Sequence, residues 1–248
     1  MESKGNRSTN LALDSIEELR YIFKWSLGNI KYKQGDLVLV GGWAVHSYIP
    51  WKYSLDMDFI ATSRFKTALQ SHLHQQRNYS KEKVPEGNTI FLKRSNSGDI
   101  YIDFLPKRDR FHGKNEMLDL TRLNFKKEAR SVSYLSKREI SVIVPEVSML
   151  MILKLKAAWD RNHDLQSDNY PDKDRLLEKL EKDCGDIISL IKCNAFSNPN
   201  LELISYTFSK FGFLRKFMEE GIIEKFSSSN EMQEKEGADL IRKLLSLV

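Results

Sequence analysis

The apolar residues between Leu11 and Ile30 recur at helical spacing (Leu11, Leu13, Ile16, Leu19, Ile22, Phe23, Leu27), which predicts an opening helix ending near Gly28. The period then shortens. Leu37 to Val40 is an uncharged, partly β-branched run that suits a strand buried on both faces. Gly41 and Gly42 follow it, then a helix starting at Trp43 and running to Tyr48, and after Pro50 the stretch "SLDMDFIA" resumes a strand over Asp56–Ala61. Ser63 reads as the cap of a helix from about Arg64 to Gln76. "NYSKEKV" and "NTIFLKRS" read as strands joined by a turn at "PEGN". "DIYIDFLP" alternates as another strand, and "ARSVSYLSKREISVIV" as a further hairpin.

From Pro145 the pattern turns helical. Pro145 and Glu146 suit a first turn, where a missing N–H and a negative charge are both tolerated. That helix is expected to reach about Arg161, with polar residues 162–171 as a loop broken at "NYP". A second helix covers about Asp172 to Lys192, and shorter ones fill the rest, the last of them amphipathic and preceded by "SSSNEMQEKEG" as a loop. The chain is therefore expected to be α+β, with a mixed β-sheet domain over 1–144 and a helical domain over 145–248.

Composition narrows the picture only slightly. A chain of 248 residues can bury a full core, and 39 Lys and Arg against 34 Asp and Glu give +5, a mild bias compatible with polyanionic partners. Cys184 and Cys193 are nine apart, too far along one helix for a disulfide and without zinc spacing. A polar start, "MESKGNRSTN", and an apolar run no longer than "VSMLMIL" predict neither a signal peptide nor a membrane span. The expectation is a cytoplasmic protein. His46, His72, His74, His112 and His163 show no metal spacing.

The candidate chemistry lies at the glycine pair and the acids after it. Gly41 and Gly42 remove side chains where the chain turns, and a helix start there offers backbone N–H groups to a phosphate. Asp56 and Asp58 share one face of a strand, about 6–7 Å apart, and would repel unless a cation sat between them. Such a pair suits magnesium, a hard cation that takes oxygen ligands, with manganese as a substitute. Two such ions hold both the attacking and the leaving oxygen of a phosphoryl displacement. Asp103, on "DIYIDFLP" opposite in face to Ile100 and Ile102, is the candidate third acid, ligating metal and accepting the proton of an attacking hydroxyl. Lys154 and Arg161, seven apart on one helix face, could bind a triphosphate, Lys as a point charge and Arg as a fork. The alternative is that they pair with Asp183 and Asp186 on the next helix and hold the two together. Trp43, Trp51 and Trp159 read as core or base-stacking residues.

"VGGWAVHSYIPWKYSLDMDF" resembles the opening motif of the nucleotidyltransferase superfamily to which DNA polymerase beta belongs, and more narrowly its minimal and abortive-infection-type members. "VPEVSMLMILKLKAAWDR" and "EKDCGDIISLI" resemble the later helical blocks of that family. The resemblance spans about Val38 to Leu190. It implies a magnesium-dependent enzyme with two ions that transfers a nucleoside monophosphate from a nucleoside triphosphate such as ATP to a hydroxyl, releasing pyrophosphate. By position, Gly41 and Gly42 match the phosphate-binding turn, Asp56 and Asp58 the metal pair and Asp103 the third acid. Trp43, where many members carry serine, Lys154 and Arg161 join the nucleotide-binding set. The acceptor stays open between a small molecule such as an aminoglycoside, a tRNA end and a protein side chain. Two rival readings are a toxin acting on tRNA and held by an antitoxin partner, and a catalytically silent nucleotide- or RNA-binding module.

Overall fold

The structure, a computed structural model, describes residues 4–29, 31–33, 35–50, 54–83, 89–121, 125–135, 137–167, 172–226 and 231–248. Trp51, the "PEGN" turn, the "NYP" breaker and residues 227–230 of the late loop lie outside the described residues. The chain divides into two compact units, residues 1–106 with 126–145 and residues 107–125 with 146–248. Segment 107–125 thus belongs with the helices, although it precedes residue 145 in sequence.

In the first unit, helix α1 (Lys4–Gly28) leads into strand β1 (Leu37–Val40), helix α2 (Gly41–Tyr48), strand β2 (Met57–Ala61), helix α3 (Ser63–Arg77) and strands β3 (Ser80–Lys83), β4 (Thr89–Ser95) and β5 (Gly98–Phe104). The described strands form a sheet in the order β1-β2-β5-β4-β3, with β2 and β5 parallel and the other neighbours antiparallel. Strands β8 (Lys127–Tyr134) and β9 (Lys137–Pro145) make a separate hairpin. All four residues of β1 are buried, as a charge-free strand requires. Along β5, Ile100, Ile102 and Phe104 are buried while Asp103 is exposed, so the alternation in the sequence maps onto two faces of the sheet. Phe59 of β2 packs against Phe23 of α1 and Phe104 of β5, with ring centroids 6.3 and 5.9 Å apart.

Local chemistry sets the helix ends. Thr62, one residue before the expected cap, takes that role, its side chain accepting from the Phe65 N–H, and α3 ends at Asn78 in the left-handed region. Pro145 closes β9 rather than opening a helix, and Glu146 is the residue before α4 (Val147–Leu165). Leu27, expected on the buried stripe of α1, is exposed in its last turn.

The second unit begins with a small hairpin of β6 (Arg108–Arg110) and β7 (Met117–Asp119). Helices α4 and α5 (Lys173–Lys192) follow, then α6 (Leu201–Lys210), α7 (Gly212–Lys216), α8 (Ile222–Lys225) and α9 (Glu231–Leu245). Asp172 caps α5 by accepting from the Arg175 N–H at 3.0 Å. Among the described residues no helix is long and apolar enough to cross a membrane.

Both cysteines are free thiols. Cys184 is buried in α5, and burial pushes its thiol up to about 12, whereas Cys193 just past the helix is partly exposed. The thiolate is the reactive form, so iodoacetamide at neutral pH is expected to label Cys193 and to reach Cys184 only on unfolding. Peptide mass mapping of native and urea-treated protein checks this, and equal labelling of both in the native state would contradict the burial of Cys184.

Candidate functional site

The centre of the candidate site is a register. Val40, the last residue of β1, lies opposite Asp58 on the antiparallel neighbour β2, and Asp58 lies opposite Asp103 on the parallel neighbour β5. Directly opposed residues share a face, about 5 Å apart across strands, so the start of α2 and two carboxylates are brought to one place in the sheet. Asp56 stands in the bend just before β2, so the strand starts one residue later than the sequence suggests. Its side chain and that of Asp58 are partly exposed, between the buried Met57 and Phe59.

Gly41 explains how the helix start and Asp58 come so close. Its φ is +64°, and a Cβ built on it would lie 1.8 Å from Asp58 Oδ2 and 2.6 Å from Cγ. A side chain there is excluded by backbone conformation and by overlap with the carboxylate. Gly41→Ala is therefore expected to cost about 1–2 kcal/mol from the left-handed backbone alone and to displace Asp58. Gly28→Ala, at a position with open space around it, should leave stability nearly unchanged. Urea denaturation of the two variants side by side makes the comparison, and equal stabilities would remove the close approach at Gly41.

Gly42 and Trp43 continue the first turn of α2, both buried. The Trp43 indole is completely enclosed, donates its Nε1–H to Ser15 Oγ at 2.9 Å, and meets His46 and Tyr134 edge to face. Of the two readings of this ring, core and base-stacking, the structure places it in the core. Its ring is an anchor of α2 in the core, so only its backbone N–H remains to face a phosphate. The far side of α2 is held by the β8–β9 hairpin: a His46 ring nitrogen lies 2.6 Å from the Ser133 carbonyl, Tyr48 donates to the Pro145 carbonyl at 2.7 Å, and Arg130 donates to the Ser47 carbonyl at 3.1 Å. The glycine turn is thus fixed from both sides.

Asp103 is exposed, and its Oδ1 accepts from the N–H of Phe104 at 2.7 Å. Among the described residues no three His, Cys, Asp or Glu side chains converge closely enough to hold a metal ion. Asp56, Asp58 and Asp103 fit magnesium in the kind of donor, and the strand register sets Asp58 beside Asp103.

Lys154 and Arg161 belong to the second unit, and the alternative reading describes their surroundings. The Lys154 ammonium is buried, donates to Asp183 Oδ1 and forms an ion pair with Asp186 Oδ2, each at 2.9 Å, and the Arg161 guanidinium pairs with the other oxygen of Asp183. The two cations share a helix face as read from the sequence, and that face meets the acids of α5, with the Arg161 side chain partly exposed. The pairing with Asp183 and Asp186 is the arrangement that the alternative reading describes.

Two further charged clusters bring together residues from distant parts of the chain. In the first unit Glu18 of α1 is buried and pairs with Arg77 and with Lys93 at 2.6 Å. In the second, Lys156 is buried between Asp109 and Asp160. Lys156 and Asp160 are four apart on one helix, a spacing the sequence shows, whereas the pairings of Lys156 with Asp109 and of Glu18 with Arg77 and Lys93 join distant residues, which periodicity cannot reveal.

No family model, curated protein or solved structure matches this chain.

Proposed function

We propose that this protein is a magnesium-dependent nucleotidyltransferase, moving a nucleoside monophosphate from a nucleoside triphosphate to a hydroxyl acceptor and releasing pyrophosphate. The observation that carries the reading is the Val40–Asp58–Asp103 register, with a left-handed Gly41 packed onto the Asp58 carboxylate. Asp56 and Asp58, joined by Asp103, would hold divalent ions. When bound, such ions neutralise phosphate charge and favour the attacking and leaving oxygens. Asp103 takes the proton of the acceptor hydroxyl, whose oxygen forms the new bond to the α-phosphorus as the bond to pyrophosphate breaks. The backbone N–H groups at the start of α2 face the phosphates.

The rival reading of a silent binding module draws on one observation, the Asp103 carboxylate engaged by its own backbone. It differs in predicting nucleotide binding without turnover. Calorimetric titration with magnesium and manganese tests the metal assignment. The parent should bind, and the double variant Asp56→Asn, Asp58→Asn should not, because amides remove the charge that offsets the ion's dehydration. Undiminished metal binding in that variant would sink the assignment. Without metal the variant should be as stable as the parent or slightly more so, since like-charge repulsion is relieved.

A further inference from the structure

A second constellation sits in the helical unit, on the turn that joins β6 to β7. This turn and the end of β6 are tied to α4 at five points. Lys156 reaches Asp109 at 2.6 Å and the Arg110 carbonyl at 3.1 Å, the His112 N–H donates to Asp160 at 2.9 Å, Trp159 Nε1–H donates to the His112 carbonyl at 3.3 Å, and His112 Nδ1 meets Asp164 Oδ1 at 2.8 Å. Gly113, at φ +69°, lies so close to His163 that an added Cβ would fall 2.0 Å from its Nε2. A loop held this firmly is preorganised.

The anchoring consumes the acids and leaves nitrogen groups over. Asp109 and Asp160 are occupied by Lys156, and Asp164 by His112 Nδ1, which leaves His112 Nε2 for an outside partner. Neither Arg110 nor Lys114 has a carboxylate partner among the described residues. Arg110, His112 and Lys114 all line an open cleft of about 580 Å³ formed by residues 109–115. The Lys114 ammonium stands 5.6 Å from the Trp159 ring centroid and 5.1 Å from that of Phe213, both partly exposed rings.

We propose that this cleft binds a phosphate group, with Arg110 and Lys114 as donors, the His112 imidazolium donating through Nε2, and the Trp159–Phe213 edge beside them for an attached ring. The phosphate of a free mononucleotide and that of a single-stranded RNA present the same chemistry to these groups. The site is independent of the carboxylates of the first unit and of the activity proposed for them.

The test uses the full chain with nitrogen-labelled imidazoles, titrated by inorganic phosphate, a nucleoside 5′-monophosphate and a short single-stranded oligoribonucleotide at constant ionic strength. The His112 ring resonances should shift with all three probes. Arg110→Ala and Lys114→Ala, with folding checked by circular dichroism, should each weaken binding about tenfold, the loss of one charge-assisted contact. Asp58→Asn with Asp103→Asn should leave the titration unchanged. A strand as the natural ligand is indicated if the oligoribonucleotide binds more tightly than the monophosphate, and a free nucleotide if the two bind alike. Unmoved His112 resonances, parent affinity in both alanine variants, or loss of the shift in the carboxylate variant would each overturn the proposal.

Discussion

Asp103→Asn should lower turnover by about 10²–10⁴-fold, the contribution of a general base, while leaving triphosphate affinity nearly intact. Asp103 is exposed on the open face of β5, opposite in face to the buried Ile100 and Ile102. The substitution should therefore cost little stability, and a fall in rate would reflect chemistry and not folding. The amide can still accept from the Phe104 N–H that Oδ1 now accepts from, which keeps the local backbone unchanged. Two roles for the carboxylate separate by metal titration. If it only ligates an ion, excess magnesium restores part of the rate; if it also takes the acceptor's proton, the defect persists at saturating metal. Turnover within a few-fold of the parent would remove Asp103 from the site and leave Asp56 and Asp58 without their partner.

Lys154→Ala should be the most destabilising single change at the α4–α5 contact. Its ammonium is buried between Asp183 and Asp186, themselves buried, and both lie 2.9 Å away. Removing one member of a buried ion cluster strands uncompensated charge, a loss of about 3–5 kcal/mol. Arg161 remains on Asp183 and offsets only part of it. Urea denaturation measures the effect, and a loss below about 1 kcal/mol would mean that water already reaches these carboxylates. Ligand binding adds a second readout. If the ammonium only holds α4 to α5, affinities for a triphosphate and for its nucleoside fall together. A selective loss for the triphosphate would show that Lys154 leaves its acids for phosphate after all.

The elements around the candidate site are legible in the sequence because their signals are local. The uncharged Leu37–Val40, the glycine pair and the alternation of Ile100, Ile102 and Asp103 each act within a few residues, and the structure places a strand, a helix start and a two-faced strand there. The pairing of Asp58 with Asp103 is different. It depends on a parallel register between strands 45 positions apart, which hydrophobic pattern does not encode. Trp43 illustrates the same limit, since its enclosure depends on Ser15, 28 residues upstream. The β6–β7 hairpin is invisible for another reason. Strands of three residues reading "RDR" and "MLD" are too short and too charged to show a period of two. For Lys154 the helix face was readable, but its direction was decided by which helix packed against it.

The most direct measurement follows the α-phosphorus. The 248-residue chain is incubated with magnesium, each α-labelled nucleoside triphosphate in turn and a whole-cell extract, beside an Asp58→Asn control, and the label is traced. The account predicts label joined to a hydroxyl-bearing acceptor in the parent reaction, with pyrophosphate released, and neither outcome in the control or without magnesium. Acceptor labelling that survives Asp58→Asn, or bound triphosphate that is never cleaved between its α- and β-phosphates with any extract fraction, would contradict it.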